Sequence, residues 1–89
     1  MVAYVYILKS VRNKYYVGST TDLKNRIKHH EGGFTPSTKR LGKPYLVFSQ
    51  KYKTLREARI VERRLKKLKR RDYIEKIIKN GFIKMTVDL

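Results

Sequence analysis

Few side chains in this chain can do chemistry, and their spacing narrows what that chemistry is. Tyr4, Tyr6, Tyr15 and Tyr16 crowd the N-terminal stretch. A phenol titrates near ~10, so it acts as a base at neutral pH only where cations or a metal lower that value. Without such neighbours, tyrosines on adjacent strands are sheet packing or a platform on which bases stack. Arg26 and His30 lie four residues apart. With Leu23 and Ile27 marking the buried side of a helix, His30 projects between them and Arg26 flanks the stripe. Both lean toward the sheet, while His29 points away. The plainer reading lays the Arg26 stem on the core with its head in water, and makes His30 a satisfied, half-buried imidazole. Periodicity alone favours that reading.

Glu62 is the remaining candidate. It stands at the border of an apolar stripe, Leu55, Ala58, Val61, Leu65 and Leu68, in a helix otherwise carrying Arg59, Arg63, Arg64, Lys66, Lys67 and Lys69. A lone carboxylate at a core edge in positive surroundings can hold Mg²⁺ or Mn²⁺ near a phosphate. The plain alternative is an i,i+4 pair with Lys66, worth only ~0.3–0.5 kcal/mol. Glu57, the rival carboxylate, is accounted for by a helix cap.

These residues need scaffolding, and the pattern supplies it. Residues 3–9, AYVYILK, are β-branched and aromatic and read as a buried strand. Arg12-Asn13-Lys14 is a polar turn, and YYVGS from Tyr15 closes a hairpin. Thr21 or Asp22 caps a helix that stops at Gly32-Gly33. Residues 32–43 form a basic loop with three glycines. Residues 44–53, PYLVFSQKYK, make a third strand. Thr54 with Glu57 is a capping box opening a helix to about Arg70. A shorter helix spans Asp72 to Lys79 and ends at Asn80-Gly81, and the tail covers an edge or frays. The order is β-β-α-β-α-α: an α+β fold with a three-stranded antiparallel sheet flanked by helices. Eighty-nine residues suffice for one domain, residues 1–89.

Charge indicates the partner. Twenty-three Lys and Arg oppose seven Asp and Glu, a net charge of +16. Such a surface attracts polyanions, nucleic acid foremost, with an anionic membrane surface or an acidic protein as alternatives. A basic protein without a polyanion partner is the bland reading. No apolar run approaches the ~18 residues of a membrane span, so no membrane anchoring is expected. The N-terminal YVYIL reads as a strand, not a signal peptide. The absence of cysteine excludes disulfides and thiolate chemistry and fits a reducing, cytoplasmic setting.

Taken together, the chain resembles the GIY-YIG nuclease family. Tyr4-Val5-Tyr6 stands for the first motif and Tyr16-Val17-Gly18 for the second, with the motif tyrosines ten residues apart. Arg26, eight residues past Gly18, matches the family's helix arginine, and His30 its His or Tyr one turn later. Glu62, on the helix after the third strand, matches the family's metal-binding glutamate. Each motif alone is common strand text; the ordered set of five positions, over about residues 3–70, is specific. The likeness is greatest to short stand-alone bacterial members. Related domains serve in excision-repair incision, homing endonucleases and restriction enzymes. The chain departs from the first motif in having Tyr4 for glycine and Val5 for isoleucine, which short members tolerate.

The resemblance implies phosphodiester hydrolysis with one divalent metal, Mg²⁺ or Mn²⁺, held by Glu62. It casts Tyr6 as a base toward water, Tyr16 as its helper, Arg26 as the phosphate clamp and His30 as a water-orienting or proton-relaying group. Which group is the base stays open. The basic loop, with Lys39, Arg40 and Lys43, and the helix run, with Arg63, Lys66, Lys67 and Arg70, are expected to track a nucleic-acid backbone, DNA first. Many members carry a separate target-reading domain. Here specificity is expected from the basic surface or from a protein partner. The rivals are a binding module of the same fold that cuts poorly and, with less in its favour, a structural protein of a ribonucleoprotein.

Overall fold

The computed structural model describes residues 2–10, 13–31, 44–68 and 70–83, with the backbone alone for residues 29–31. Lys39, Arg40 and Lys43 lie outside the described residues, as does the side chain of His30. Strands β1 (Ala3–Lys9) and β2 (Tyr15–Thr20) form the hairpin, followed by α1 (Leu23–Glu31), β3 (Tyr45–Tyr52), α2 (Leu55–Leu68) and α3 (Arg71–Asn80). The sheet is antiparallel, with β1 central in the order β2-β1-β3.

Local chemistry explains the boundaries. At the hairpin, Asn13 takes a left-handed φ of 63°, a conformation asparagine tolerates better than most side chains. Its N–H donates to the Ser10 carbonyl at 2.9 Å, and the Ser10 N–H to the Lys14 carbonyl at 2.9 Å. Asp22 caps α1, its Oδ1 accepting the Asn25 N–H at 3.3 Å. Thr54 Oγ1 accepts the Glu57 N–H at 3.2 Å, one half of the expected capping box. Gly81, with φ 82°, ends α3 and donates its N–H to the Ile77 carbonyl at 2.8 Å. Helix α2 ends at Leu68, short of the expected Arg70. Helix α3 starts at Arg71, one residue earlier than expected.

Strand alternation divides the central strand between two faces. Ala3, Val5 and Ile7 meet Ala58, Val61 and Leu65 of α2, together with Val17, Phe48, Ile77 and Ile83, in the main core. Tyr6 and Leu8 are equally buried but point to the other face, the side of α1. There Tyr4, Leu23, Ile27 and Leu46 line one groove. A register shift between Ile7 and Leu8 pairs Leu8 with Leu46 and skips Val47, which turns Val47 toward the main core. Helix α2 lies mainly against β2 and β1, whereas α1 touches β1 and β3. Beyond α3, Ile83 is tied to β3: its N–H donates to Gln50 Oε1 at 2.7 Å, and Gln50 Nε2 donates to its carbonyl at 3.4 Å. Ile83 is therefore packed on β3, while residues 84–89 of the tail lie outside the described residues. No helix among the described residues is long and apolar enough to cross a membrane.

Candidate active site

The site forms at the outer edge of the sheet, where β2 meets α2. In the hairpin register Tyr6 stands opposite Gly18, and Leu8 opposite Tyr16. Tyr6 is only 2% exposed, and its ring lies across β2 directly over Gly18. A Cβ at Gly18 would sit 2.5 Å from Tyr6 Cζ and closer still to its hydroxyl. The missing side chain is what lets the phenol cross the neighbouring strand. Tyr16 lies beside it, ring centroids 6.3 Å apart and planes tilted by 34°.

From α2, Glu62 reaches the same edge. Ser19, next to Gly18 but on the opposite face, donates its hydroxyl to Glu62 Oε1. Lys66 Nζ lies 2.6 Å from Glu62 Oε2 and 5.6 Å from the Tyr16 ring centroid. A chain of contacts thus runs from Tyr6 through Tyr16 and Lys66 to Glu62 and Ser19. Arg59, Glu62, Arg63 and Lys66 line an open recess of about 360 Å³ beside it.

Of the two courses open to Arg26, the side chain takes the outward one. It is exposed and does not lean into the sheet: at the flank of a short stripe made by Leu23 and Ile27, the long side chain runs out to solvent. Its charge still acts on the Tyr6 phenol. Tyr6, Tyr16, Arg26 and Glu62 therefore share one electrostatic neighbourhood, drawn from two strands and two helices. The helix backbone carries His30 in α1, and its side chain is not described. Of the expected backbone-tracking cations, Arg63 and Lys67 are exposed on α2, and Lys66 is paired with Glu62. Arg70 lies just before α3, where it forks onto Asp72 with contacts of 2.7 and 3.3 Å. Sequence reasoning passed over Ser19. The available signal was alternation, which puts the residue after the motif glycine on the face that α2 covers.

The family model described as the GIY-YIG catalytic domain matches residues 2–77. The chain belongs to the GIY-YIG family. It is 36% identical over 76 residues to the UPF0213 protein YazA of Bacillus subtilis, covering 81% of this chain and 77% of that one. It is 35% identical over 69 residues to a UPF0213 protein of Streptococcus pneumoniae, covering 76% and 70% of the two chains. The solution NMR structure of the UPF0213 protein BH0048 from Bacillus halodurans superimposes with a TM-score of 0.58 at 34% identity, over 91% of this chain and 87% of that one. The three-stranded sheet flanked by helices is thus the GIY-YIG fold of a short member.

The donor set fits a hard divalent ion. Glu62 offers one carboxylate beside a hydroxyl, and no group of three or more His, Cys, Asp or Glu occurs among the described residues. One carboxylate beside a hydroxyl could hold a hard, oxygen-seeking cation such as Mg²⁺ or Mn²⁺.

Burial pushes the Tyr6 phenol above its ordinary value of 10; Tyr16 and Glu62 add to the rise, and Arg26 opposes it. In this GIY-YIG domain Tyr6 is therefore a neutral hydrogen-bond donor at neutral pH, and Arg26 alone does not make it a base. Because the folded chain holds this proton more tightly than the unfolded chain, Tyr6 contributes stability that is whole below about pH 10 and is lost as pH rises through the folded value. Tyr52, raised by burial against an opposing hydrogen bond from Gln50, acts in the same sense. Urea unfolding between neutral pH and about pH 11 should show the alkaline loss, and Tyr6→Phe should flatten it. Equal slopes for the two proteins would remove the linkage from Tyr6.

Proposed function

We propose that the chain is a metal-dependent endonuclease that hydrolyses phosphodiester bonds in nucleic acid, DNA first. The observation that carries this reading is the Tyr6 phenol laid across Gly18 into the neighbourhood of Tyr16, Arg26 and Glu62. Ordinary sheet packing does not require an acid, a cation and two phenols at one strand edge. A divalent ion on Glu62 supplies charge stabilisation of the scissile phosphate and its leaving oxygen. Glu62 holds it as a hard oxygen ligand, kept in place by Ser19. Arg26, exposed on α1, clamps a phosphate and offsets developing negative charge. Tyr6 donates a hydrogen bond to the attacking water or a phosphate oxygen, and deprotonates only where further positive charge offsets its burial. Tyr16 positions Tyr6, and His30 has the water-orienting role.

Cleavage assays of plasmid, single-stranded DNA and RNA with Mg²⁺, Mn²⁺ and EDTA test this reading. Metal-dependent products that EDTA abolishes support it. Inertness toward every substrate and metal favours a binding module of the same fold that cuts poorly. One observation speaks for that module: Glu62 is already neutralised by Lys66.

Both readings share a binding face. If Arg63, Lys66 and Lys67 contact phosphates, oligonucleotide affinity falls steeply with salt, by about tenfold or more between 50 and 200 mM for a few contacts. Charge reversal at Lys67 and Arg63 should weaken all sequences alike and lower the salt slope. Affinity that is flat in salt would place binding elsewhere. A cytoplasmic setting, a DNA-repair role and a protein partner that sets the target belong to the same proposal.

A further inference from the structure

Both oxygens of Glu62 are engaged: Ser19 covers Oε1, and the Lys66 ammonium lies 2.6 Å from Oε2. Glu62 is 20% exposed and Lys66 49%, so the acid is held while the lysine is free to swing outward. The ammonium also rests 5.6 Å from the Tyr16 ring centroid, which gives it a second foothold on the site. Around it, Arg59 and Arg63 line the same recess. Three cations face one carboxylate there, a field that repels a divalent cation and attracts a phosphate.

We infer that Lys66 is a gate on the metal site: it occupies Glu62 until a phosphate of the nucleic acid draws its ammonium away, so that metal and nucleic acid bind cooperatively. The inference rests on Glu62 being the metal ligand. An arriving phosphate offers Lys66 a stronger partner and cancels part of the positive field, and both changes free Oε2 for the ion. Coupling of this kind is reciprocal, so the metal tightens nucleic-acid binding by the same factor. Lys66 is on this account a positioning residue, acting through Glu62. The consequence is a domain that takes up its ion more readily on substrate.

Mn²⁺ binding followed by electron paramagnetic resonance tests the gate without reference to cleavage. The proteins are the parent chain, Lys66→Met, Arg59→Met and Glu62→Gln. Each is titrated with and without a short phosphorothioate oligonucleotide, the oligonucleotide alone serving as blank. Arg59→Met removes the same charge from the same recess without breaking the Glu62 pair. Without oligonucleotide, Lys66→Met should bind Mn²⁺ about fivefold tighter than the parent, the upper end for loss of a competing partly exposed ion pair. Arg59→Met should gain less than about twofold, as expected for a screened charge. The oligonucleotide should tighten Mn²⁺ binding to the parent and have little effect on Lys66→Met. If Lys66→Met gains no more than Arg59→Met, or the oligonucleotide helps both equally, while Glu62→Gln has lost the site, the gate is overturned and Glu62 remains the ligand. If Glu62→Gln binds Mn²⁺ as the parent does in both arms, the ligand assignment fails, and the gate fails with it.

Discussion

Glu62→Gln is expected to abolish metal-dependent cleavage, by at least about a hundredfold, because metal stabilisation of the transition state is worth several kcal/mol. The substitution removes the charge that holds the ion and little else. The glutamine carbonyl oxygen can still accept from Ser19, whose hydroxyl is the donor in the native contact. Lys66 loses its partner, but an ion pair with one member half-exposed contributes only ~0.3–0.5 kcal/mol. Stability should therefore barely change, and oligonucleotide binding in EDTA should persist or improve, since the recess becomes more positive. Glu57→Gln is the control. The Thr54 hydroxyl that accepts the Glu57 amide is untouched, so the cost is below about 1 kcal/mol and cleavage is unaffected. Parallel measurements of cleavage, oligonucleotide affinity and urea midpoint separate these effects. A Glu62→Gln protein that cut at the parental rate at equal Mg²⁺ would sink the assignment.

Gly18→Ala should be strongly damaging for the addition of a single methyl. Only Gly81 among the described glycines has a positive φ, so backbone strain is not the reason at Gly18. The reason is the Tyr6 ring, whose Cζ would lie 2.5 Å from the new Cβ. A buried ring has nowhere to retreat, and overpacking of this kind costs about 1–3 kcal/mol. Displacing the phenol by about 1 Å should also lower cleavage by about a hundredfold. Denaturant unfolding gives the stability, and a double-mutant cycle gives the cause. With Tyr6→Leu in the background, the cost of Gly18→Ala should largely vanish, because the atoms it strikes are gone. Strict additivity of the two substitutions would show that Gly18 and Tyr6 do not meet as described.

Local rules carried much of this structure. β-branched and aromatic runs bounded by turn residues located the three strands, and the caps at Asp22 (with Thr21 as the alternative), Thr54 and Gly81 followed from chemistry that acts within a few residues. The position of Glu62 on the border of its stripe was legible for the same reason, as was its pairing with Lys66 one turn away. Arg26 was not. A 100° rotation per residue places it on a flank, but whether a long side chain on a flank bends inward or outward depends on what packs beside it, and here it is exposed.

The long-range contacts belong to the tertiary structure alone. Ser19 meets Glu62 across 43 positions, and no local period relates them. Tyr4 and Tyr6 share a face in any strand, yet only the register that sets Tyr6 opposite Gly18 opens a path over β2 for one phenol. A shift of one residue would close it. The protonation state of Tyr6 was decided in the same way. Sequence supplied the neighbouring cation, but burial raises the phenol more than Arg26 lowers it. Side-chain types and periods specify the elements and the face each residue takes. Strand register, helix placement and depth of burial come from the packing of the whole chain, and they determine which of those faces meet and in which charge state.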